Sequence, residues 1–280
     1  MSPLLGGYDL HGRHLPNRVV MAPMTRSRAP LHGNPTEMMA QYYVQRASAG
    51  LIITEATNVS TASAAFELTP GIITSEQIAG WRNVTSQVHA AGGRIFMQLW
   101  HGGRVSSFAL LGGEAPLSPS GVNDDLEKLQ VWGQLQNGHY TRIHATPSRA
   151  MSLDEVKQTV AQFRQGAINA IEAGFDGVEV HAANGYLLHQ FLSSTINTRD
   201  DRYGGSIANR ANFLRDILTE IGTAVPLGRV GLRQPRLRVA DRRHDGVTGS
   251  GAVHRHLQAS MIVSDGIPWG HGQFDDGAVA

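Results

Sequence analysis

Short apolar runs alternate with longer segments of helical periodicity through most of this chain of 280 residues. The apolar runs lie at 17–25, 51–54, 94–100, 178–180 and 229–233, and each predicts a strand, the first of which is stopped by Pro23 and followed by a loop. The predicted helices lie at 35–49, 75–91, 154–173, 187–192 and about 208–224. Strands that alternate with helices indicate a parallel sheet. Because no glycine-rich dinucleotide fingerprint follows any of these strands, a closed α/β barrel is favoured over an open Rossmann sheet.

Length, charge and cysteine content narrow the class of protein. A chain of 280 residues can form one α/β barrel or two small domains. The 24 Lys and Arg residues against 23 Asp and Glu residues leave a net charge of +1, which gives no electrostatic footprint for nucleic acid. The absence of cysteine excludes disulfides, thiolate metal ligands and a catalytic thiol. We therefore expect a small, neutral partner molecule.

The hydropathy of the chain predicts its location. The N-terminal residues show neither the basic region nor the long apolar region of a secretory signal. No run reaches the roughly 18 apolar residues that are needed to span a bilayer. We therefore expect a cytoplasmic protein that binds neither membrane nor nucleic acid, and its oligomeric state stays open.

The segment from Gly174 to Leu192 carries the candidate chemistry. Its predicted strand ends at His181, and Asn184 and Tyr186 follow within a few residues. The C-terminal ends of the strands of an α/β barrel hold the active site, so these three side chains are candidates to hydrogen-bond a substrate. The competing interpretations are a histidine that is satisfied at a strand end and a tyrosine that packs over the mouth of the barrel.

Residues 101–150 interrupt the alternation of strands and helices. The segment is rich in Gly, Ser, Pro and Asn and contains no long periodic stretch. A connection of this length is usually functional, so we expect a lid or a wall of the binding site.

A metal site is not expected, although the chain contains 13 histidines. His181 and His189 are eight positions apart, and no HExxH pattern or carboxylate–histidine set completes a ligand shell. Glu179 alternates with Val178 and Val180 along a predicted strand, so we expect its carboxyl group inside the barrel in a structural role.

The character of the sequence changes from residue 234 onward. Residues 234–280 contain no lysine or glutamate, and their one strand-like run lies at 261–263. They do not show three further strand–helix units, so the chain carries about five of the eight units of a barrel. We therefore expect a barrel region over residues 1–233 and an irregular or disordered tail over residues 234–280.

Five segments share their residues and their order with one known family. They are NRVVMAPMTR at 17–26, YYVQRASAGLIITEA at 42–56, QLWHGGR at 98–104, HAANGYLLHQFL at 181–192 and YGGSIANR at 203–210. On these motifs the chain resembles the Old Yellow Enzyme family of FMN-dependent alkene reductases, especially its bacterial N-ethylmaleimide-reductase-like members. The resemblance covers about residues 4–233 and implies a TIM (β/α)8 barrel.

The resemblance also implies a cofactor and the residues that hold it. FMN would be the bound cofactor, and NADH or NADPH would reduce it from the same site that takes the alkene. Matching positions imply that Pro23, Thr25 and Ala56 border the flavin ring and that Gln98 bonds its pyrimidine edge. Arg233 would lie beside N1 and O2, where a fixed cation stabilises the reduced flavin.

The implied reaction reduces α,β-unsaturated carbonyl or nitro compounds by hydride transfer from flavin N5. His181 and Asn184 would donate hydrogen bonds to the carbonyl or nitro oxygen, and Tyr186 would protonate the substrate. Phe66 and Trp100 would form the wall of the pocket, although both are equally compatible with the core.

The chain departs from the family after Arg233. The family continues with a Ser-Pro dipeptide and later with Gly-rich loops and an arginine that hold the FMN phosphate, and none of these is recognisable in 234–280. This break is typical of out-of-frame translation or a decayed gene. The alternative to the oxidoreductase is therefore a non-catalytic, truncated remnant that cannot hold FMN, with two unpaired sheet edges that invite self-association.

Overall fold

The structure is a computed structural model that describes residues 2–10, 12–225, 231–232 and 260–264. Its strands are β1 (Tyr8–Leu10), β2 (Arg13–Leu15), β3 (Val20–Met21), β4 (Leu51–Asn58), β5 (Ile95–Trp100), β6 (Leu117–Ser118), β7 (Val131–Gln134), β8 (Tyr140–Ile143), β9 (Arg149–Ala150), β10 (Gly177–His181), β11 (Gly231–Leu232) and β12 (Ser260–Ser264). Its helices are α1 (Glu37–Val44), α2 (Ser75–Ala90), α3 (Leu153–Glu172), α4 (Leu187–Leu192), α5 (Ile207–Arg210) and α6 (Asn212–Ala224).

Four parallel strands form the centre of the main sheet. β3, β4, β5 and β10 lie side by side in this order, and α1, α2 and α3 connect them. Parallel neighbours require such crossovers because the chain must return to the same end of the sheet. The predicted alternation of strands and helices is confirmed, and the fold is that of an incomplete α/β barrel.

The pairing beyond β10 differs from the expectation. β12 lies antiparallel beside β10, with Glu179 opposite Ile262, and β11 lies antiparallel beside β12. The strand predicted at 229–233 is thus present at 231–232, but it is not the parallel neighbour of β10. Backbone N–H and C=O groups along an open edge need partners, and the apolar run at 261–263 supplies them to β10. The other residues of the tail lie outside the described part of the chain.

The central strands are buried on both faces. Every residue of β5 and β10 is buried, because helices cover one face of the sheet and the other faces the barrel interior. α3 begins at a capping box in which Ser152 and Glu155 bond each other's backbone N–H groups. Phe163 on α3 is fully buried in the main core, and truncating it to alanine would cost about 3–5 kcal/mol.

An N-terminal hairpin that the sequence did not predict closes one end of the sheet. β1 and β2 pair antiparallel around Gly12, whose positive φ of 82° suits glycine. Leu15 packs with Leu51 and Phe96, which lie near the starts of β4 and β5. Arg13 forms an ion pair at 3.0 Å with Asp176, the residue before β10. The hairpin therefore covers the end of the sheet opposite to the candidate site.

The segment 101–150 contains two small sheets. β6 pairs parallel with β9, and β7 pairs antiparallel with β8. These strands are two to four residues long, which is too short to produce a visible periodicity in the sequence. A bridge between Phe66 and Trp132 joins this segment to the loop after β4.

Candidate active site

A hollow at the C-terminal ends of the parallel strands collects the residues predicted for the site. Its volume is ≈ 110 Å³, and it is lined by Pro23, Thr25, Ala56, Gln98, His181, Ala183, Asn184 and Tyr186. All of these residues except Ala183 are predicted from the sequence. They lie in or directly after β3, β4, β5 and β10, so adjacent parallel strands bring them to one place.

Aromatic contacts connect Phe66 and Trp100 to this hollow. The ring of Phe66 stacks on Trp100 with centroids 5.8 Å apart, and Trp100 meets Tyr186 edge to face at 5.1 Å. Tyr186 also meets the ring of His181 edge to face at 5.0 Å. Trp100 is fully buried and belongs to a second small core, so the structure places it in the core and against the site at once.

His181 is a neutral hydrogen-bond donor. Its Nδ1 accepts a hydrogen bond from the backbone N–H of Ala183 at 3.3 Å, so the imidazole proton resides on Nε2. Burial, and next the nearby His189, lower the pKa of His181 to about 4. The side chain therefore presents a neutral N–H group to the hollow at neutral pH.

Asn184 and Tyr186 occupy a tight turn after β10. Asn184 has a φ of +57°, a left-handed conformation that asparagine tolerates better than most residues. Burial raises the pKa of the Tyr186 phenol to about 12, so the hydroxyl keeps its proton at neutral pH. The turn thus offers an amide and a protonated phenol on the same side as His181.

Gln98 is held by the carboxyl group of Glu179. Its Nε2 donates to Glu179 Oε1 at 2.7 Å, and both side chains are almost completely buried. The Glu179 side chain is fully buried on β10, where it positions the Gln98 amide.

Glu55 is a buried acid beside the site that the sequence analysis missed. Its Oε2 accepts from the backbone N–H of Arg26 at 2.9 Å, and its Oε1 accepts from the Tyr43 hydroxyl at 3.3 Å. Burial raises the pKa of its carboxyl group. The interaction fixes the loop that carries Thr25. An acidic residue inside the apolar run 51–56 is the signal that could have identified it.

A larger hollow is bordered by the loop after β4. Its volume is ≈ 860 Å³, and its lining includes Asn58, Thr61, Glu76, Leu110 and Arg149. None of the predicted site residues lines it. Its Arg149 is already bound through both guanidinium ends to Glu155, so size alone does not make this hollow the reactive one.

Two negative findings apply to the part of the chain that the structure describes. Within it, no three His, Asp or Glu side chains are grouped so that they could hold a metal ion. No helix in the same ranges is long and apolar enough to cross a bilayer. Arg233, the remaining predicted cofactor ligand, lies outside the described residues.

The chain is similar to proteins of one flavin-dependent family. A sequence profile of the "NADH:flavin oxidoreductase / NADH oxidase family" matches residues 8–262. The flavin oxidoreductase hxnT of Emericella nidulans is 41% identical over 239 residues, which are 83% of this chain and 59% of that protein. A "Probable flavin mononucleotide-dependent alkene reductase" of Leishmania infantum is 44% identical over 234 residues, covering 83% of this chain and 62% of that protein.

A solved structure gives the same relationship in three dimensions. Morphinone reductase in complex with tetrahydroNAD superimposes with a TM-score of 0.76 at 44% identity, covering 80% of this chain and 61% of that one. The chain therefore spans about 60% of the length of the relatives it matches. Together with the motifs at its strand ends, these matches show that the chain belongs to the NADH:flavin oxidoreductase family, the family of Old Yellow Enzyme.

Proposed function

We propose that this site serves FMN-dependent reduction of activated alkenes, with NADH or NADPH as the reductant. The observation that carries the proposal is the convergence of His181, Asn184 and Tyr186 on the hollow that Thr25 and Gln98 also line. The names of the relatives support it, because they include a flavin oxidoreductase, an alkene reductase and a reductase bound to a nicotinamide analogue.

The chemistry of the lining residues fits the flavin ring of FMN. Pro23 and Ala56 offer small apolar surfaces, and Thr25 offers a hydroxyl. The Gln98 amide still has one N–H donor and its oxygen available after it binds Glu179, which suits the polar edge of a pyrimidine. When bound, FMN supplies the hydride. We further assign Arg233 to the flavin, although it lies outside the described residues.

His181 and Asn184 would polarise the substrate. Both can donate an N–H group to the carbonyl or nitro oxygen that activates the alkene, and His181 does so without adding a positive charge. Donors directed at an oxygen that gains negative charge lower the barrier by about 3 kcal/mol each. This requirement explains why the site would select alkenes conjugated to an oxygen-bearing group.

Tyr186 would supply the proton that completes the reduction. Its phenol stays protonated at neutral pH because burial raises its pKa to about 12. A buried phenol can transfer its proton to the substrate α-carbon as charge develops there. Phe66 and Trp100 would exclude water from this transfer, since both pack against the ring system of the site. A small activated alkene is thus the proposed partner, and the cytoplasmic location remains a prediction.

Flavin retention and turnover test the proposal together. The purified chain is mixed with FMN and passed through a gel-filtration column, and the protein fraction is examined for flavin absorbance. NADPH oxidation by that fraction is then followed under anaerobic conditions with 2-cyclohexen-1-one. We expect retained flavin and alkene-dependent oxidation. Colourless, aggregated protein that retains no FMN would overturn the proposal and support the alternative of a non-catalytic remnant.

A further inference from the structure

Gly185, which lies between Asn184 and Tyr186, is bound on both of its backbone groups by side chains of α4. Its N–H donates to Nδ1 of His189 at 2.9 Å, and its C=O accepts from Nε2 of Gln190 at 2.7 Å. The arrangement fixes the peptide planes that carry the proposed amide donor and the proposed proton donor.

Gln190 also binds the turn after β5. Its Nε2 donates to the C=O of Gly102 at 3.0 Å, and its Oε1 accepts from the N–H of Arg104 at 3.1 Å. The side chain is 2% exposed, and both of its amide ends are used on backbone groups. A Cβ on Gly103, whose φ is +63°, would come within 2.3 Å of Gln190 Oε1, so a larger residue there would displace the Gln190 amide.

These contacts connect the turn after β5 with the turn after β10. One turn begins after Trp100 and the other carries Tyr186, and the rings of these two residues are in contact at 5.1 Å. The N–H of Leu187 donates to the C=O of His101 at 3.1 Å and adds a second connection between the turns. Gln190 therefore lies where it can set the separation of Trp100 and Tyr186.

The turn after β10 has a conformation that needs such support. Asn184 and Gly185 have φ values of +57° and +79°, so two consecutive residues are left-handed. A non-glycine residue adopts this region at a conformational cost and stays there only where surrounding contacts hold it. Without them the turn would relax and carry the Asn184 and Tyr186 side chains away from the hollow.

We propose that His189 and Gln190 are positioning residues that hold Asn184 and Tyr186 over the hollow through Gly185. The role rests on the proposed function for its consequence on turnover, but its structural part is independent of that function. Neither residue lines the hollow, so both act through the turn and not on the substrate.

The chain offers a matched control for Gln190. Gln77 is also a buried glutamine, and it binds the C=O of His32 at 2.9 Å and the N–H of Ile73 at 2.7 Å. It lies on α2 and does not line the hollow that holds Tyr186. Gln77→Met and Gln190→Met therefore remove similar hydrogen bonds, but only the second acts on the proposed site.

Turnover, stability and local structure are measured for both glutamine variants. We expect both to lower the melting temperature, and only Gln190→Met to lower kcat for alkene reduction, by about 10²-fold, because displacement of a reacting group by 1 Å has an effect of this size. In NMR spectra, Gln190→Met should also weaken the contact between the rings of Tyr186 and Trp100 and speed hydrogen exchange of the Arg104 amide. Equal kcat values for the two variants would overturn the proposal.

His189 gives a second test that does not depend on Gln190 variants folding. His189→Leu removes the acceptor for the Gly185 N–H, whereas His189→Asn can restore an acceptor at a similar position. We expect fast exchange of the Gly185 amide and low kcat in the first variant and recovery of both in the second. If the wild-type chain shows no alkene reduction, the proposed function fails alone. Unchanged exchange at Gly185 and Arg104 with intact contact of the Tyr186 and Trp100 rings would then refute the positioning role.

Discussion

The adjacent strands β5 and β10 end in similar ways but serve different purposes. His101 follows the last residue of β5, and His181 is the last residue of β10. In both, Nδ1 accepts from the N–H two residues further on, at 3.0 Å from Gly103 and 3.3 Å from Ala183. Burial lowers the pKa of both histidines, to about 3 and about 4. The local turn chemistry is therefore nearly the same.

The two histidines differ in the face of the sheet to which they belong. Gln98 and Glu179 are opposite each other in the register of β5 and β10, and their side chains bond each other on the same face of the sheet. His181 lies two residues beyond Glu179 and points to the same side, into the hollow. His101 lies three residues beyond Gln98, where strand alternation would turn it to the other side; it does not line the hollow, and within the described residues its Nε2 has no partner. His181 lies two residues after Glu179 and His101 three residues after Gln98. This difference of one residue separates a candidate hydrogen-bond donor from a buried histidine outside the hollow.

The largest expected effect concerns Tyr186, whose ring contacts His181. Tyr186→Phe should slow the reduction of an enone by about 10²-fold or more, because it removes the proposed proton donor and leaves the aromatic contacts in place. Reduction of the bound flavin by NADPH should keep its rate, since no proton from Tyr186 is needed in that step. Stopped-flow absorbance measures the two half-reactions separately.

A matched substitution on the other strand controls for altered packing. Trp100→Phe changes the ring that contacts Tyr186 and leaves the phenol intact. It should alter both half-reactions by similar factors, if it alters them at all. Equal slowing of both half-reactions by Tyr186→Phe would remove the proton-donor role.

Alanine substitutions at His181 and His101 give the next largest contrast. A phenol added as a ligand can place its oxygen where the substrate's carbonyl or nitro oxygen would lie. His181→Ala should weaken the binding of this ligand by about 2 kcal/mol, roughly 30-fold, because one donor to its oxygen is lost. His101→Ala should leave phenol affinity unchanged and lower the free energy of unfolding by about 1–3 kcal/mol, since the Gly103 N–H then loses its acceptor. Calorimetry and urea unfolding measure the two quantities. Equal phenol affinity in wild type and His181→Ala would exclude His181 from the oxygen-binding position.

The sequence identified these strand ends because their signals are local. A buried parallel strand is a continuous apolar run, and a polar residue that ends it stands out against that run, as His181 does after Val180. The predicted strands and helices agree with the structure to within a few residues for α2, α3, β5 and β10. The motif at 181–186 also supplies the candidates His181, Asn184 and Tyr186, which the structure brings to one hollow.

The sequence could not predict contacts between distant positions. Gln190 bonds Arg104 across 86 positions, and the periodicity of α4 contains no trace of this partner. The pairing of β10 with residues 260–264 likewise depends on which edge remains open after the barrel strands have assembled. Glu55 was missed because its role depends on the Arg26 N–H and the Tyr43 hydroxyl, which only the folded chain brings to it. The division into residues 1–233 and 234–280 stays a prediction.

Taken per pH unit and per histidine, the smallest expected effect is a pH dependence of stability to which both histidines contribute. Each has a pKa of 6.5 when exposed and a lower one when folded, so the unfolded chain binds more protons below about pH 6.5. The contribution of these histidines to the free energy of unfolding is therefore fully present above this pH. It falls as the pH decreases toward 4, by up to about 1.4 kcal/mol per pH unit for each histidine. Glu55 acts in the opposite sense, because burial raises its pKa and its contribution is lost as the pH rises.

Comparing His101→Asn with wild type isolates one histidine from this sum. Asparagine can accept from the Gly103 N–H but does not titrate, and the contribution of Glu55 cancels in the difference. Urea unfolding between pH 6.5 and 4.5 should therefore show a slope that is shallower by up to about 1.4 kcal/mol per pH unit in the variant. The same slope in both proteins would mean that His101 is already accessible to protons in the folded state. The two strand ends would then differ in the solvent access of their histidines.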